Sequence, residues 1–436
     1  MLRPFQLECN GLSGEVVIPA DKSILQRALI IAAISQGKTS IYAQNNSEDL
    51  KDSYNCIKSL ISPANCMQAQ EGYVIQGVSR YGIGYNDDIV NFGNSATLAR
   101  LVVGLLSTYN KIFTFSAHDN LKKRSMLYLI DMLKQNGAEF YSNDCKFPFV
   151  MKGASAALPI KFLNHYNSAQ LKSAALLAGI NTPGITEIVE ECETRNHTEI
   201  LLSFFGARVQ YQDRMILLEG YPELKGQSFS VPGDPSSAAF LILAALIIPN
   251  SQITIKDVLF DKVRLEFVSI LQKMGGKIAM VNIREGEPFS KVDIQVAYSV
   301  LNGIEIEGIL FSKLIDEYIV LSVACAFAKT KSVIKNLTHG LVNKESDRAQ
   351  GILLNLRNLG VECEVRGEDI MIYPGSLSID KGQIFDLDDH RILIAFVIAH
   401  LAIKGKVIVS KPYVANKSYP EIWKNLLLLN VKKSSI

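Results

Sequence analysis

The sequence predicts an α/β protein of two domains, and three observations carry that prediction. A unit made of a polar start, an apolar helix, a turn and a short strand recurs six times along the 436 residues. Each apolar helix is followed by a second helix that is amphipathic, and then by further strand. The clearest break, SVPGDP from Ser230 to Pro235, lies just before the fourth copy, where Pro232 and Gly233 interrupt the pattern.

The first copy shows the logic. Pro19 to Ile41 reads PADKSILQRALIIAAISQGKTSI. A charged start, DKSILQR, runs into an apolar helix that a glycine closes before a β-branched strand opens at Thr39. Ser23 and Arg27 are i,i+4 neighbours on one helical face, and Lys22 lies in the same first turn. A helix N-terminus offers unpaired N–H groups and the positive end of a dipole, so cations added there favour an anionic ligand. Seen once, such a unit reads as a solvated helix start. Recurrence changes its weight.

The copies begin at Asp21, Asn94, Ser168, Asp234, Asp316 and Asp388, at spacings of 66 to 82 residues, longer than solenoid repeats. The second helices of copies two to five run up to Gly137, Gly206, Gly275 and Gly360, each placed as a C′ glycine with a strand directly after it. The repeat is therefore helix, strand, helix, strand, strand. An apolar first helix has to be enclosed, whereas an amphipathic second helix can face water. Three units gathered around their first helices form a core wrapped by sheet, with the polar starts at one end. Six units make two domains of three, and the cleft between them is the expected ligand site.

Composition bounds the function. The chain is 48% hydrophobic and 20% charged, with net charge +2, so no global field favours nucleic acid or an anionic membrane. Cys9, Cys56, Cys66, Cys145, Cys192, Cys325 and Cys363 are scattered without CxxC spacing and read as reduced thiols of a cytosolic protein. The start MLRPFQLECNGLSGEVV carries neither a secretory h-region nor a transit-peptide composition. FLILAALII from Phe240 and ILIAFVIAHLAI from Ile392 are shorter than the roughly 20 residues a spanning helix needs, and read as buried helices. A cytoplasmic monomer without cofactor is expected.

The six starts carry more ionisable groups than capping requires. Copy two adds Asn94 and Arg100, with Arg124 at its second helix, and copy three adds Ser168, Gln170 and then Arg195. Asp316 and Glu317 open copy five, whose second helix begins NKESDR with Lys344, Glu345 and Arg348. Copy six brings His390, Arg391 and, before the last helix, Lys417. An Asp at a helix start is usually an N-cap. A cation there opposes the dipole at a cost of some tenths of a kcal/mol unless an anion offsets it. Lys22, Arg124, Lys344, Arg348, Arg391 and Lys417 are read as placed in this way, which points to a substrate with several negative charges. AISQGKTS at Ala33 imitates the end of a P-loop in the wrong structural order, and GIGYND at Gly82 lacks the third glycine of a dinucleotide fingerprint. The six histidines show no metal-ligand spacing, so no metal is expected.

At these residues the chain resembles the 5-enolpyruvylshikimate-3-phosphate synthases over nearly its whole length. The matches are DKSILQR at Asp21, NFGNSATLAR at Asn91, KKRSM at Lys122, SAQLKSAALLAG at Ser168 and TRNHTE at Thr194. They continue as VPGDPSSAAF at Val231, IDEYIVLSVACAFA at Ile315, VNKESDR at Val342, DDHR at Asp388 and KSYPEIW at Lys417. The resemblance implies a two-domain inside-out α/β barrel, with residues 1–20 joined to 232–436 and 21–231 inserted between them. It implies transfer of the enolpyruvyl group of phosphoenolpyruvate to the 5-hydroxyl of shikimate 3-phosphate, by addition and then elimination of phosphate.

Carried onto this sequence, Lys22, Ser23, Arg27, Ser168, Gln170, Arg195, Asp316 and Lys344 resemble the shikimate-phosphate contacts. Lys22, Asn94, Ala96, Arg124, Gln170, Arg348, Arg391 and Lys417 resemble the phosphoenolpyruvate side. Asp316 is the implied base at the hydroxyl and Glu345 the implied acid at the methylene carbon, with Lys22 assisting. Arg100, Glu317 and His390 are read as support.

The first motif of the family is usually PGDKSxSHR, and here Ala20, Leu25 and Gln26 replace its Gly, Ser and His, which leaves domain closure in question. Ala96 within NFGNSAT resembles the second, glyphosate-tolerant class. A UDP-N-acetylglucosamine enolpyruvyl transferase is the rival reading, but its Lys-Asn pair is Lys22–Ser23 here, and Lys111 to Met126 contains no cysteine. A non-catalytic anion-binding relative is the other, and it is expected to have lost Asp316, Glu345 or Lys22.

Overall fold

The computed structural model describes residues 3–84, 89–337, 347–379 and 384–435. The chain divides into two compact units, one formed by Lys22–Val231 and the other by Met1–Asp21 with Pro232–Ile436.

In the Lys22–Val231 unit, helices Lys22–Ile34, Ala96–Leu106 and Ala169–Gly179 are the apolar first helices of the three copies. The second packs closely along the third and also touches the first. Each leads into a strand that is the second strand of a four-stranded sheet. Gln36–Tyr42 pairs in parallel with Ser228–Ser230 and antiparallel with Gly72–Val78, which pairs in turn with Cys66–Ala69. The same order, one parallel neighbour and one antiparallel hairpin, recurs around Ile112–Ser116 and Ile185–Glu190.

The other unit repeats the plan with helices Pro235–Ile247, Tyr318–Ala326 and His390–Lys404, which pack against one another pairwise. All 13 residues of Pro235–Ile247 are buried. That follows from its composition, because a helix apolar on every side finds no face that water favours. The strands after these helices again sit second in their sheets around Gln252–Leu259 and Ser332–Ile334. In the sixth copy Phe5–Glu8 lies between Lys406–Val409 and Lys432–Ser435. Ser13–Val17 completes the sheet of the fourth copy by pairing with Gln252–Lys256. The N-terminal segment thus belongs to this unit because its two strands are needed there. In both units sheet surrounds apolar helix, the inside-out α/β arrangement.

The local chemistry that the sequence advertises is used. Ser95, Ser168, Asp234 and Asp389 each accept a hydrogen bond from a backbone N–H in the first turn of their helix. Gly137, Gly206, Gly275 and Gly360 all take positive φ, between 73° and 109°. Glycine also sets a helix contact. A Cβ on Gly104 would lie 2.5 Å from the Ala174 carbonyl oxygen and 2.8 Å from its Cβ. Overpacking such a contact costs roughly 1–3 kcal/mol, more than the roughly 1 kcal/mol that alanine returns over glycine inside a helix. Gly104→Ala is therefore expected to lower the midpoint of urea unfolding, and an unchanged or higher midpoint would show that the two helices do not need this close approach.

Candidate active site

In the Lys22–Val231 unit the chemistry-bearing residues sit at the N-terminal ends of the three apolar helices. Lys22 is the first residue of its helix, and its Nζ lies 2.6 Å from Asp49 Oδ2. Asp49 comes from the first turn of helix Glu48–Ile61. Arg27, one turn below Ser23, is 3% exposed. Its NH1 donates to the Ser23 carbonyl (2.9 Å), its Nε to Thr198 Oγ1 (2.8 Å) and its NH2 to Ser173 Oγ (3.0 Å). The guanidinium thus ties the first helix to the third and to helix His197–Phe204.

Asn94 precedes the Ser95 cap, and its backbone N–H donates to Asp52 Oδ2 at 3.1 Å. Burial raises the Asp52 carboxyl above its usual range, and this N–H opposes the rise. The Asn94 Oδ1 is buried with no hydrogen-bond partner among the described residues. Ala96 opens the helix and is 6% exposed. Arg100, one turn on, donates from NH1 to Gln170 Oε1 at 2.7 Å, and Gln170 Nε2 donates to Thr97 Oγ1 at 2.8 Å. Burial and the neighbouring Arg124 push the Arg100 guanidinium down to about 9. Its visible work is to orient Gln170, a supporting role. Ser168 caps the third helix, and Arg195 lies half-buried in the segment before helix His197–Phe204.

The other unit holds a second group. Asp316, 21% exposed at its side chain, stands between two guanidiniums. Arg391 NH2 lies 3.4 Å and Arg348 NH1 3.7 Å from its Oδ1. Arg348 also donates from Nε to Asp389 Oδ2 at 2.8 Å, and Asp389 Oδ1 accepts from the Arg391 backbone N–H at 2.9 Å. Glu317 is 1% exposed and accepts from Ser236 Oγ at 2.6 Å. His390 is buried within the start of its own helix.

Two expectations about helix starts need correction. Lys22, Arg348 and Arg391 do sit in the first turn of a helix. Arg124 does not, because the helix expected to begin there starts only at Leu127, and Arg124 lies in the turn between it and the short helix Asp119–Lys122. Lys417 ends the tight run Pro412–Lys417, five residues ahead of helix Ile422–Leu428. Neither therefore opposes the dipole of the helix that follows it. The three that do are offset within the protein by Asp49, Asp389 and Asp316. Lys344 and Glu345 lie outside the described residues.

Two further organising residues, Arg264 and Gln26, are not among the candidate site residues. Arg264 is 2% exposed and binds Asp21 (2.7 Å), Asp234 (2.8 Å) and Ser236 Oγ (3.0 Å). Burial opposes its charge, but the two carboxylates outweigh it and raise the guanidinium further. Burial and Asp21 push the Asp234 carboxyl up to about 6, against the pull of Arg264 and Arg391. Beside them the chain passes between the units twice, with the Asp21 N–H donating to the Pro232 carbonyl (2.8 Å) and the Asp234 N–H to that of Pro19 (2.9 Å). Gln26 is fully buried and donates from Nε2 to Ser53 Oγ (2.8 Å) and Ser95 Oγ (2.7 Å). It joins the first helix to the Asp49-bearing helix and to the cap of the Ala96 helix.

Residues 8–426 match the family model described as EPSP synthase (3-phosphoshikimate 1-carboxyvinyltransferase). A 3-phosphoshikimate 1-carboxyvinyltransferase of Parvibaculum lavamentivorans is 37% identical over 420 residues, covering 94% of this chain and 92% of that one. One from Rhizobium johnstonii is 35% identical over 97% of this chain and 95% of its own. The structure of an EPSP synthase from Acinetobacter baumannii superposes with a TM-score of 0.84 at 28% identity, covering 99% of this chain and 100% of that one. With the family model and these relatives each spanning nearly the whole length, the chain belongs to the EPSP synthases, the 3-phosphoshikimate 1-carboxyvinyltransferases, and is a transferase.

Proposed function

We propose that the protein joins phosphoenolpyruvate to shikimate 3-phosphate, giving 5-enolpyruvylshikimate 3-phosphate and phosphate, and that the residues described above are its working parts. The observation that carries the residue assignment is the setting of Asp316, a partly open carboxylate between two guanidiniums at the start of an apolar helix. Adjacent cations keep a carboxylate ionised and so able to accept a proton.

In this reading Asp316 takes the proton of the 5-hydroxyl as its oxygen attacks C2 of phosphoenolpyruvate. Glu345 delivers a proton to C3, with Lys22 assisting. A tetrahedral adduct results. Loss of a proton from the new methyl group then re-forms the double bond as the C–O bond to phosphate breaks. Lys22, Ser23, Arg27, Ser168, Gln170, Arg195 and Lys344 hold shikimate 3-phosphate. Asn94, Ala96, Arg124, Arg348, Arg391 and Lys417, with Lys22 and Gln170, hold phosphoenolpyruvate. Cations stabilise phosphate and carboxylate through both steps.

The finer reading is a glyphosate-tolerant enzyme that works as a cytoplasmic monomer. Ala96 supports tolerance: its methyl sits at the first position of a helix start, where it crowds an inhibitor longer than phosphoenolpyruvate while sparing the substrate. No helix among the described residues is long and apolar enough to cross a membrane.

General-base catalysis contributes roughly 10²–10⁴-fold. Asp316→Ala is expected to cut phosphate release from the two substrates by about that factor while shikimate 3-phosphate still binds in calorimetry, and near-normal turnover would remove Asp316 from the role of base. Ala96→Gly is expected to lower the glyphosate concentration that halves activity, with the KM for phosphoenolpyruvate little changed. Ordinary sensitivity in the parent protein, with no response to this substitution, would end the tolerance reading.

A further inference from the structure

Lys172 lies in the first turn and a half of helix Ala169–Gly179, just past Ser168 and Gln170, and is fully buried. Its Nζ contacts Glu199 Oε1 (2.7 Å), Glu190 Oε2 (3.0 Å) and the Thr194 carbonyl (3.3 Å). Thr194 Oγ1 donates back to Glu190 Oε1 at 2.5 Å. Glu190 ends strand Ile185–Glu190 and Glu199 lies in the first turn of helix His197–Phe204. One ammonium therefore grips the segment that carries Arg195 at both ends and at the peptide immediately before Arg195.

That segment has no hydrogen-bond ladder of its own, so its shape depends on such ties. For stability alone the arrangement is expensive. Two carboxylates and an ammonium are removed from water, and burial pushes the Glu199 carboxyl up despite Lys172. Replacing buried ion pairs by apolar residues of similar volume is often neutral or stabilising. What an ammonium supplies here, and a leucine cannot, is a fixed position for three separate polar partners. Arg27 reinforces the same helix start through Thr198 Oγ1 and Ser173 Oγ, and these two hydroxyls are 2.7 Å apart.

We propose that Lys172 is a positioning residue for the shikimate-phosphate contact made by Arg195, acting through Glu190, Thr194 and Glu199. The proposal rests on the assignment of Arg195 given above. It places Lys172 out of contact with substrate and gives it a role in affinity for one substrate only.

The test is a double-mutant cycle on the full-length enzyme, with KM measured separately for shikimate 3-phosphate and phosphoenolpyruvate. Lys172→Met is expected to raise the KM for shikimate 3-phosphate about tenfold, in line with the loss of a supporting contact in a site that needs close placement. The KM for phosphoenolpyruvate should stay within about twofold, and Lys172→Met should add nothing once Arg195→Ala is present. Thr194→Val cuts the hydroxyl link without stranding a buried charge, and is expected to raise the same KM by a smaller factor. It carries the test if Lys172→Met does not fold. Equal losses from Lys172→Met or Thr194→Val with and without Arg195, or equal rises in both KM values, overturn the proposal while leaving Arg195 as a contact. An unchanged KM for shikimate 3-phosphate in Arg195→Ala overturns the assignment of Arg195 and the role of Lys172 with it.

Discussion

A helix that is apolar on every side constrains all that surrounds it. Helices such as Pro235–Ile247 and His390–Lys404 can be satisfied only by complete enclosure, so polar groups are pushed to their ends. At those ends the first backbone N–H groups are unpaired, and they are met by Ser95, Ser168, Asp234 and Asp389. Packing such helices together within one unit brings their capped ends into one neighbourhood. The clustering of charged groups there is a consequence of how the core excludes water.

Placing cations at such ends has an energetic cost that the protein meets internally. Lys22 leans on Asp49, Arg348 on Asp389, and Arg264 on Asp21 and Asp234. These pairs fix side chains before any ligand arrives, and fixed dipoles and charges need little reorganisation when charge develops. Gln26 contributes in another way. Its amide donates to Ser53 and Ser95 in a fully buried place, and its Oε1 has no hydrogen-bond partner among the described residues. An amide does not titrate, so this link between helix starts is the same at every pH. Ala20 follows a similar logic of backbone over side chain. It pairs with Gly233 as an antiparallel bridge and is absent from the residues with positive φ, so the position has no need of glycine's conformational freedom.

The parts of this structure that were legible in the sequence are those set by local periodicity. Apolar runs, caps and C′ glycines gave the six repeats, because each reflects forces acting within a few residues. Partner choice was not legible. Arg264 and Asp21 are 243 positions apart, and nothing near VRLEFVSILQKM marks that arginine as buried rather than solvated. Asp49 likewise sits in the polar start of an amphipathic helix and looks like an ordinary first-turn acid. Lys172 is the exception, a lysine inside SAQLKSAALLAG where the adjoining positions Leu171 and Ser173 face the core. Arg124 and Lys417 depart from the helix-start pattern for a local reason. KKRSM breaks helix geometry without a proline or glycine, and in KPYVANKSYP, where Pro412 and Pro420 flank the tight run, Lys417 ends that run instead of opening the helix that follows.

Charge balance around Asp316 ties the geometry to the proposed chemistry. Of the four groups there, Asp389 is fully buried and is held at 2.8 Å by Arg348 and 2.9 Å by the Arg391 N–H. Asp316 is different, because its carboxylate stands 3.4 and 3.7 Å from the two guanidiniums, beyond the 2.7–2.9 Å typical of a strong charge-assisted bond. Its contacts with these two guanidiniums are therefore looser than the one that binds Arg348 to Asp389. In the proposed reaction Asp316 accepts a proton from the attacking hydroxyl and its charge disappears, while Arg348 and Arg391 keep theirs. The four groups pass from balanced to one net positive charge as the substrate oxygen acquires electron density. In this reading a single proton transfer both activates the nucleophile and removes a negative charge from beside Arg348 and Arg391, which leaves their positive charge more available to the anions being rearranged.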